Sequence, residues 1–284
     1  MEIISKISNV RAIIQDWKRQ NYIIGFVPTM GSLHIGHESL IKRAKEQCNK
    51  VIVSIFVNPV QFGPNEDYNL YPRCMDKDRE ICLNNQVDLI FAPNPEEMYP
   101  ELLSSFLSNF TIVSPPEFLK NKFCGQTRKG HFEGVATIVL KLFNIIQPDK
   151  AFFGQKDAQQ LVIIKKICKD LNLPVEIIAC PTVRDTDGLA CSSRNSYLSS
   201  ESRKKALSLF KALKKVEEFY NSGVKLKKAV LSHAKESLDS GIYLEYFDIC
   251  DADTLQSIDL LKDNSLVLIA AKIDGVRLID NILF

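Results

Sequence analysis

The chain has 284 residues, 45% hydrophobic and 25% charged, and its 36 basic and 34 acidic side chains leave a net charge of +2. That composition belongs to a soluble globular protein long enough for one large domain and a small one. The charges are spread along the sequence with no basic face, which excludes a broad electrostatic nucleic-acid binder; an anionic partner must be caught locally, in a site.

The first residues, MEIISKISNVRAII, lack the apolar core and small-residue cleavage site of a secretory signal. No apolar run approaches the roughly 20 residues that span a bilayer, so no membrane partner is expected. Strand-length apolar runs then recur at 23–27, 51–57, 88–92, 151–153 and 175–179, separated by amphipathic helical stretches at 38–47, 76–84, 132–146 and 158–171. Runs without polar alternation are strands covered on both faces. This βαβα rhythm therefore predicts an α/β fold, a doubly wound parallel sheet with right-handed helical crossovers. Residues 96–122, with Pro100, Pro115 and Pro116, read as an irregular insertion capping the sheet's edge.

After Leu198 the texture changes. Helices are expected at 200–221, ended by Gly223, and at 225–239, followed by strands at 244–250, 266–272 and 276–283 with the turn Asp274-Gly275 between the last two. The organisation expected is a Rossmann-like domain over 1–185 and a smaller C-terminal α+β domain over 186–284. The eight cysteines are scattered, with no C-x-x-C pair, and most sit in apolar patterns where a free thiol behaves as a small hydrophobe. That predicts free thiols and a reducing, cytoplasmic setting.

The segment Pro28-Thr29-Met30-Gly31-Ser32-Leu33-His34-Ile35-Gly36-His37 follows the first predicted strand and leads into the first predicted helix. In a doubly wound sheet ligands bind in the crevice beyond the strand's carboxyl end, and a helix start there offers N–H groups and a positive dipole end to a phosphate. Gly31 lets the chain turn and admits a ligand close to the backbone. Histidines at 34 and 37 share one face of a helical turn, with Gly36 leaving a gap beside them. Only four histidines occur in the chain, and two fall in this one turn. The alternatives are a metal pair, for which no third ligand is apparent, and incidental surface residues. Walker A and G-x-G-x-x-G signatures are missing; Gly125-Gln126-Thr127-Arg128-Lys129-Gly130 continues with His131-Phe132.

His-Ile-Gly-His resembles the adenylate-forming nucleotidyltransferases that include the class I aminoacyl-tRNA synthetases. Further sequence words narrow the branch: Pro-Thr-Met-Gly at 28–31, Val-Ser-Ile-Phe-Val-Asn-Pro-Val-Gln-Phe-Gly at 53–63 and Tyr-Pro-Arg at 71–73. Gly-His-Phe-Glu-Gly-Val at 130–135, Phe-Phe-Gly-Gln-Lys-Asp-Ala-Gln-Gln-Leu at 152–161 and Arg-Asp-Thr-Asp-Gly-Leu-Ala-Cys-Ser-Ser-Arg-Asn at 184–195 follow. In order and spacing these resemble the pantothenate synthetase family from residue 23 to about 200.

The resemblance implies a ligase that condenses pantoate with β-alanine, using ATP through a pantoyl adenylate and releasing AMP and pyrophosphate. It implies that His34 and His37 contact phosphates, that Lys156 serves the α-phosphate, and that Ser192, Ser193 and Arg194 form a loop closing over the triphosphate. ATP contacts are implied for residues 28–37, for Gly154, Gln155, Lys156 and Asp157, and for Val183 and Cys191. Pantoate falls to Gln61 and Gln160 with Asn58 and Arg128 nearby, and β-alanine to Gln61. Mg²⁺ is implied on the ATP phosphates, with no protein metal site, and a homodimer is implied by the family.

Neutral amides suit an acid that must attack, because a bidentate arginine would stabilise the carboxylate in its ground state. Val135, Ile138 and Val139 read equally as a wall for pantoate's methyl groups or as plain helix core. Asp157 reads as a ribose ligand, a helix cap or both, and Asp76 and Asp78 as ordinary helix-start carboxylates rather than Mg²⁺ ligands. The chain departs from the family pattern at Gln155, usually Glu, and at Cys191, usually Met or Leu.

Overall fold

The computed structural model describes residues 1–64, 66–100 and 110–284. It divides into two compact units, Met1–Gly154 with Ile163–Cys180 and Gln155–Val162 with Pro181–Phe284.

Among the described residues the first unit is built on strands β1 (Glu2–Ile4), β2 (Ile24–Thr29), β3 (Lys50–Ile55), β4 (Leu89–Phe91), β5 (Lys150–Gly154) and β6 (Glu176–Cys180). Every pairing is parallel and the order is β1-β4-β3-β2-β5-β6. Parallel neighbours need crossovers, and helices such as Ile35–Gln47, Met75–Asn84 and His131–Ile146 supply them. Phe26, Val27, Ile52 and Val53, consecutive pairs on β2 and β3, are fully buried, which is why their sequences show no alternation. One face packs Val27, Val53 and Ile90 against Ile41, Ala44 and Cys82 of the covering helices. The chain moves from β2 out to β3 on one side and later returns through β5 on the other, so the switch point lies beside β2.

The five expected strands and four expected helices are present, with ends moved by up to three residues. Two further elements precede them, β1 and the helix Ile7–Arg19. The turn at 28–37 thus follows the second strand and opens the second long helix. The signal for these two elements was thin: β1 has three residues with Glu2 and Ile3 exposed, and the helix fully buries only Val10 and Ile14. Of the expected insertion at 96–122, residues 101–109 lie outside the described residues; Met98 and Tyr99 before them are buried.

The second unit carries the helices Ser200–Asn221 and Lys227–Lys235 and the antiparallel strands β7 (Tyr243–Asp251), β8 (Ser265–Ile273) and β9 (Val276–Leu283), in the order β7-β8-β9. Ser199 caps the long helix by accepting from the Ser202 N–H at 3.1 Å. Asp274 and Gly275 both take positive φ, 47° and 86°, the two-residue turn whose twist matches that of a hairpin. Ala206, Leu213 and Val216 pack on Val267, Ile269 and Ala271 to form this unit's core. The helix expected over 225–239 is shorter, and the chain turns off it before Gly241, at φ 83°. All eight cysteines are free, Cys74 exposed and the others buried. No helix among the described residues is long and apolar enough to cross a membrane.

Candidate active site

In the first unit, β2 ends at Thr29, whose hydroxyl donates to the Ser54 carbonyl (2.7 Å) and accepts from the Gly31 N–H (3.2 Å). Gly31 has φ +82°, and a Cβ there would press on Asp78 Oδ2 and Ile55 Cγ2 at 3.0 Å, so both conformation and space require glycine. The buried Asp78 carboxylate accepts from the N–H groups of Ser32 (2.8 Å) and Leu33 (2.6 Å). Burial pushes the Asp78 carboxyl above the ordinary range, against the pull of those two bonds. Although Asp78 stands in the first turn of its helix, as expected, its carboxylate is engaged by the neighbouring turn rather than by its own helix start.

The helix Ile35–Gln47 begins with a reciprocal cap made of two imidazoles. His34, the capping residue in extended conformation, accepts at Nδ1 from the Gly36 N–H (3.1 Å), and His37 Nδ1 accepts from the His34 N–H (3.3 Å). The ring centroids lie 4.1 Å apart. His34 thus stands outside the helix, and capping rather than a shared helical face brings the rings together. A ring nitrogen that accepts carries no proton. The neutral rings therefore hold theirs on Nε2, a donor on the edge away from the capped backbone.

After β3 the chain makes a tight turn, Pro59–Gln61, backed by the helix His131–Ile146. Gly134 makes this approach possible: a Cβ there would lie 2.6 Å from Gln61 Cα and from the Val60 carbonyl oxygen. The buried Asn58 donates to the Gly134 carbonyl and to Gln61 Oε1, both at 3.1 Å, and its own Oδ1 accepts from the buried Tyr99 hydroxyl at 3.0 Å. Gln61 Nε2 lies 3.0 Å from Met30 Sδ. Arg128 grips Glu66 with two bonds, of 2.7 and 2.6 Å, and donates from Nη1 to His131 Nε2 at 2.8 Å. Because an arginine only donates, His131 must carry its proton on Nδ1, which it gives to the Gln61 carbonyl at 2.9 Å. Burial would raise the Glu66 carboxyl, but the Arg128 bonds outweigh it and hold the group below the ordinary range. Val135, Ile138 and Val139 are all buried on the same helix.

In the second unit, Lys156 lies in the turn Gln155–Asp157, with Asp157 exposed and Gln160 half-buried on the helix Ala158–Asp170. Burial pushes the Lys156 ammonium below the ordinary lysine range, opposed by Asp157 and Asp280 and assisted by Arg194. The carbonyls of Gln155 and Lys156 both accept from Asn281 Nδ2, at 2.9 Å each. Asp280 forms a bidentate pair with Arg184 (2.6 and 2.9 Å), whose guanidinium lies 3.9 Å over the Phe210 ring.

Between 183 and 191 the chain doubles back: Cys191 N–H donates to the Val183 carbonyl at 3.0 Å, and Gly188 turns at φ +94°. Ser192 caps the short helix Ser193–Tyr197 by accepting from the Arg194 N–H at 3.3 Å. Cys191 is buried and its thiol donates to Asp185 at 3.3 Å; burial first, then that bond, push it up to about 11. Among the described residues no group of three or more His, Cys, Asp or Glu is placed to hold a metal ion.

Residues 2–283 match the family described as pantoate-beta-alanine ligase. The chain belongs to that family. It is 48% identical to a pantothenate synthetase of Clostridium botulinum (strain 657 / Type Ba4), across 100% of this chain and 99% of that one. The crystal structure of a pantothenate synthetase from Thermus thermophilus matches it with a TM-score of 0.93 at 41% identity, over 99% of both chains. A pantoate-beta-alanine ligase from Francisella tularensis, complexed with beta-gamma ATP and beta-alanine, matches with a TM-score of 0.81 at 37% identity, over 100% of this chain and 97% of that one. As a pantoate–β-alanine ligase, the chain is an enzyme that condenses pantoate with β-alanine at the expense of ATP, through an adenylate.

Within this ligase fold the first unit brings His34 to His37 and Asn58 to Gln61, and the second brings Lys156 close to Asp280 and Arg194. Arg128, expected beside pantoate, has its guanidinium engaged by Glu66 and His131. Sequence reasoning assigned no role to Glu66, Tyr99, His131, Asp280 or Asn281. His131 lies within Gly-His-Phe-Glu-Gly-Val, 130–135, where the sequence does mark it. Nothing local marked the last two, whose partners lie about a hundred residues away.

Proposed function

We propose that the Nε2–H groups of His34 and His37 and the Lys156 ammonium stabilise the charge that builds on the ATP phosphates as the pantoate carboxylate attacks the α-phosphorus. One carboxylate oxygen bonds to that phosphorus, the bond to the bridging oxygen breaks, and pyrophosphate leaves. The neutral amine of β-alanine then attacks the acyl carbon, AMP departs, and the amine's extra proton goes to solvent. The observation that carries this reading is the reciprocal histidine cap, which fixes both tautomers with their donors off the backbone before any ligand arrives. Fixed donors of this kind need no reorganisation during the reaction.

Residues 28–37, Gly154, Gln155, Asp157, Val183, Cys191, Ser192, Ser193 and Arg194 complete the nucleotide contacts, as the family resemblance implies. The family resemblance assigns pantoate to Gln61, backed by Asn58, and to Gln160. Arg128 acts through His131 and the Gln61 backbone, and Gln61 also meets β-alanine. Mg²⁺ fits as an ion carried on the phosphates, where it neutralises their charge; the Asp78 carboxylate is already engaged by two amides, and Asp157 is an exposed carboxylate in no cluster of three possible metal ligands among the described residues. A functional division at 185/186, a cytoplasmic setting and a homodimer belong to the same reading.

The test is His37→Ala. It should cut pyrophosphate–ATP exchange by about 10²-fold or more, since one preorganised donor is typically worth a few kcal/mol. Circular dichroism should be unchanged, and near-normal exchange would overturn the role given to the turn.

A further inference from the structure

We propose that Asn281, near the end of the chain, is the positioning residue for Lys156. The inference rests on the reading that Lys156 serves the α-phosphate. Lysine is a flexible arm, so the accuracy with which its ammonium meets a phosphorus depends on how firmly its backbone is held. The carbonyls of Gln155 and Lys156, in the short turn Gln155–Asp157, both accept from a side chain outside it. The side chain is the same for both: Asn281 Nδ2 donates to each at 2.9 Å, across 126 and 125 residues of sequence.

Because two carbonyl oxygens are the acceptors, the amide's orientation is unambiguous, with nitrogen facing the turn. Its Oδ1 is left buried without a hydrogen-bond partner, an unfavourable arrangement that persists at a residue only 3% exposed. Stability alone does not call for an amide with an orphaned oxygen; two donors aimed at the turn beneath Lys156 do.

The donor itself is held rigidly. Asn281 pairs with Leu268 in the antiparallel ladder, and its N–H donates to Asp280 Oδ1 at 2.8 Å. Asp280 is in turn clamped by Arg184, which lies over Phe210. Anchoring of this kind matters because small misplacements of a group acting on a reacting centre lower rates on the order of 10²-fold.

The experiment compares Lys156→Ala, Asn281→Ala, Asn281→Asp and the Lys156→Ala/Asn281→Ala double variant in the full-length enzyme. The readouts are pyrophosphate–ATP exchange with pantoate and thermal unfolding. Asn281→Asp keeps the shape of the side chain but has no donor for the two carbonyls. Asn281→Ala and Asn281→Asp should each lower the maximal exchange rate on the order of 10²-fold, with the KM for ATP within about threefold of the parent. The double variant should be no slower than Lys156→Ala alone, because a residue acting through Lys156 has nothing left to position.

Losses that multiply in the double variant would show a structural effect independent of Lys156 and overturn the proposal. Exchange within about twofold of the parent for both Asn281 variants would do the same, as would failure of both to fold. If Lys156→Ala itself exchanges normally, the reading of Lys156 fails and this inference falls with it. A crippled Lys156→Ala beside active Asn281 variants would sink this inference alone.

Discussion

In the first unit the histidine turn is held by bonds between neighbours: Gly36 donates to His34 and His34 to His37, two and three residues apart. In the second, the carbonyls on either side of the Lys156 Cα are held by Asn281, more than a hundred residues further along the chain. The first arrangement is a helix start, specified by a few consecutive residues and completed by one outside carboxylate, that of Asp78. The second exists only once the last strand has folded into its sheet. Two ways of holding the groups proposed to act on the phosphates therefore coexist, one local and one assembled, and they should respond differently to substitution.

The largest effect is expected where the helix His131–Ile146 packs closely on the turn that carries Gln61. Gly134→Ala places a methyl group 2.6 Å from the Gln61 Cα and the Val60 carbonyl oxygen. It should lower stability by about 1–3 kcal/mol and, by shifting the turn that carries Gln61, weaken pantoate more than ATP. Denaturant unfolding and isothermal titration separate the two effects. A stability loss with pantoate affinity intact would show that the packing serves only the fold.

How much was legible follows the same division. The parallel sheet could be read because β2 and β3 are buried on both faces and their apolar runs are unbroken. β1, three residues long and largely exposed, gave no such run. In the site, His34, Gly36 and His37 could be read because the chemistry that caps the helix lies inside the motif. Asp78 reads in the sequence as a helix-start carboxylate, since nothing in its spacing shows that the helix Met75–Asn84 aims it at the Ser32 and Leu33 amides. Asn281 was invisible for a simpler reason: Arg-Leu-Ile-Asp-Asn reads as strand, and its role depends on register and on a turn more than a hundred residues earlier.

A smaller effect is expected for Gln61→Ala, which removes a side chain without disturbing Gly134. Loss of one hydrogen bond to a charged ligand should weaken pantoate by roughly 1.5–3 kcal/mol while ATP binding stays near the parent value. Titration of each ligand decides it, and equal losses for both would place Gln61 outside the acid site.

The smallest effect is expected at the departure from the family pattern in the second unit. Cys191 is buried and its thiol is pushed up to about 11, so it should behave as a compact apolar group. Cys191→Met should change steady-state rates by less than about twofold. Limited alkylation near neutral pH should label the exposed Cys74 ahead of Cys191, as peptide mass mapping would show. Rapid modification of Cys191 would mean that its loop opens far more than the structure shows.

The most direct measurement is exchange of labelled pyrophosphate into ATP, with pantoate and Mg²⁺ present and β-alanine omitted. If the histidine turn and Lys156 serve attack at the α-phosphorus, the first half-reaction is complete without the amine and reversible while pyrophosphate is supplied. The account predicts exchange that depends on pantoate alone and AMP formed one-for-one with product once β-alanine is added. Exchange that demands β-alanine, or release of ADP and orthophosphate, would contradict it.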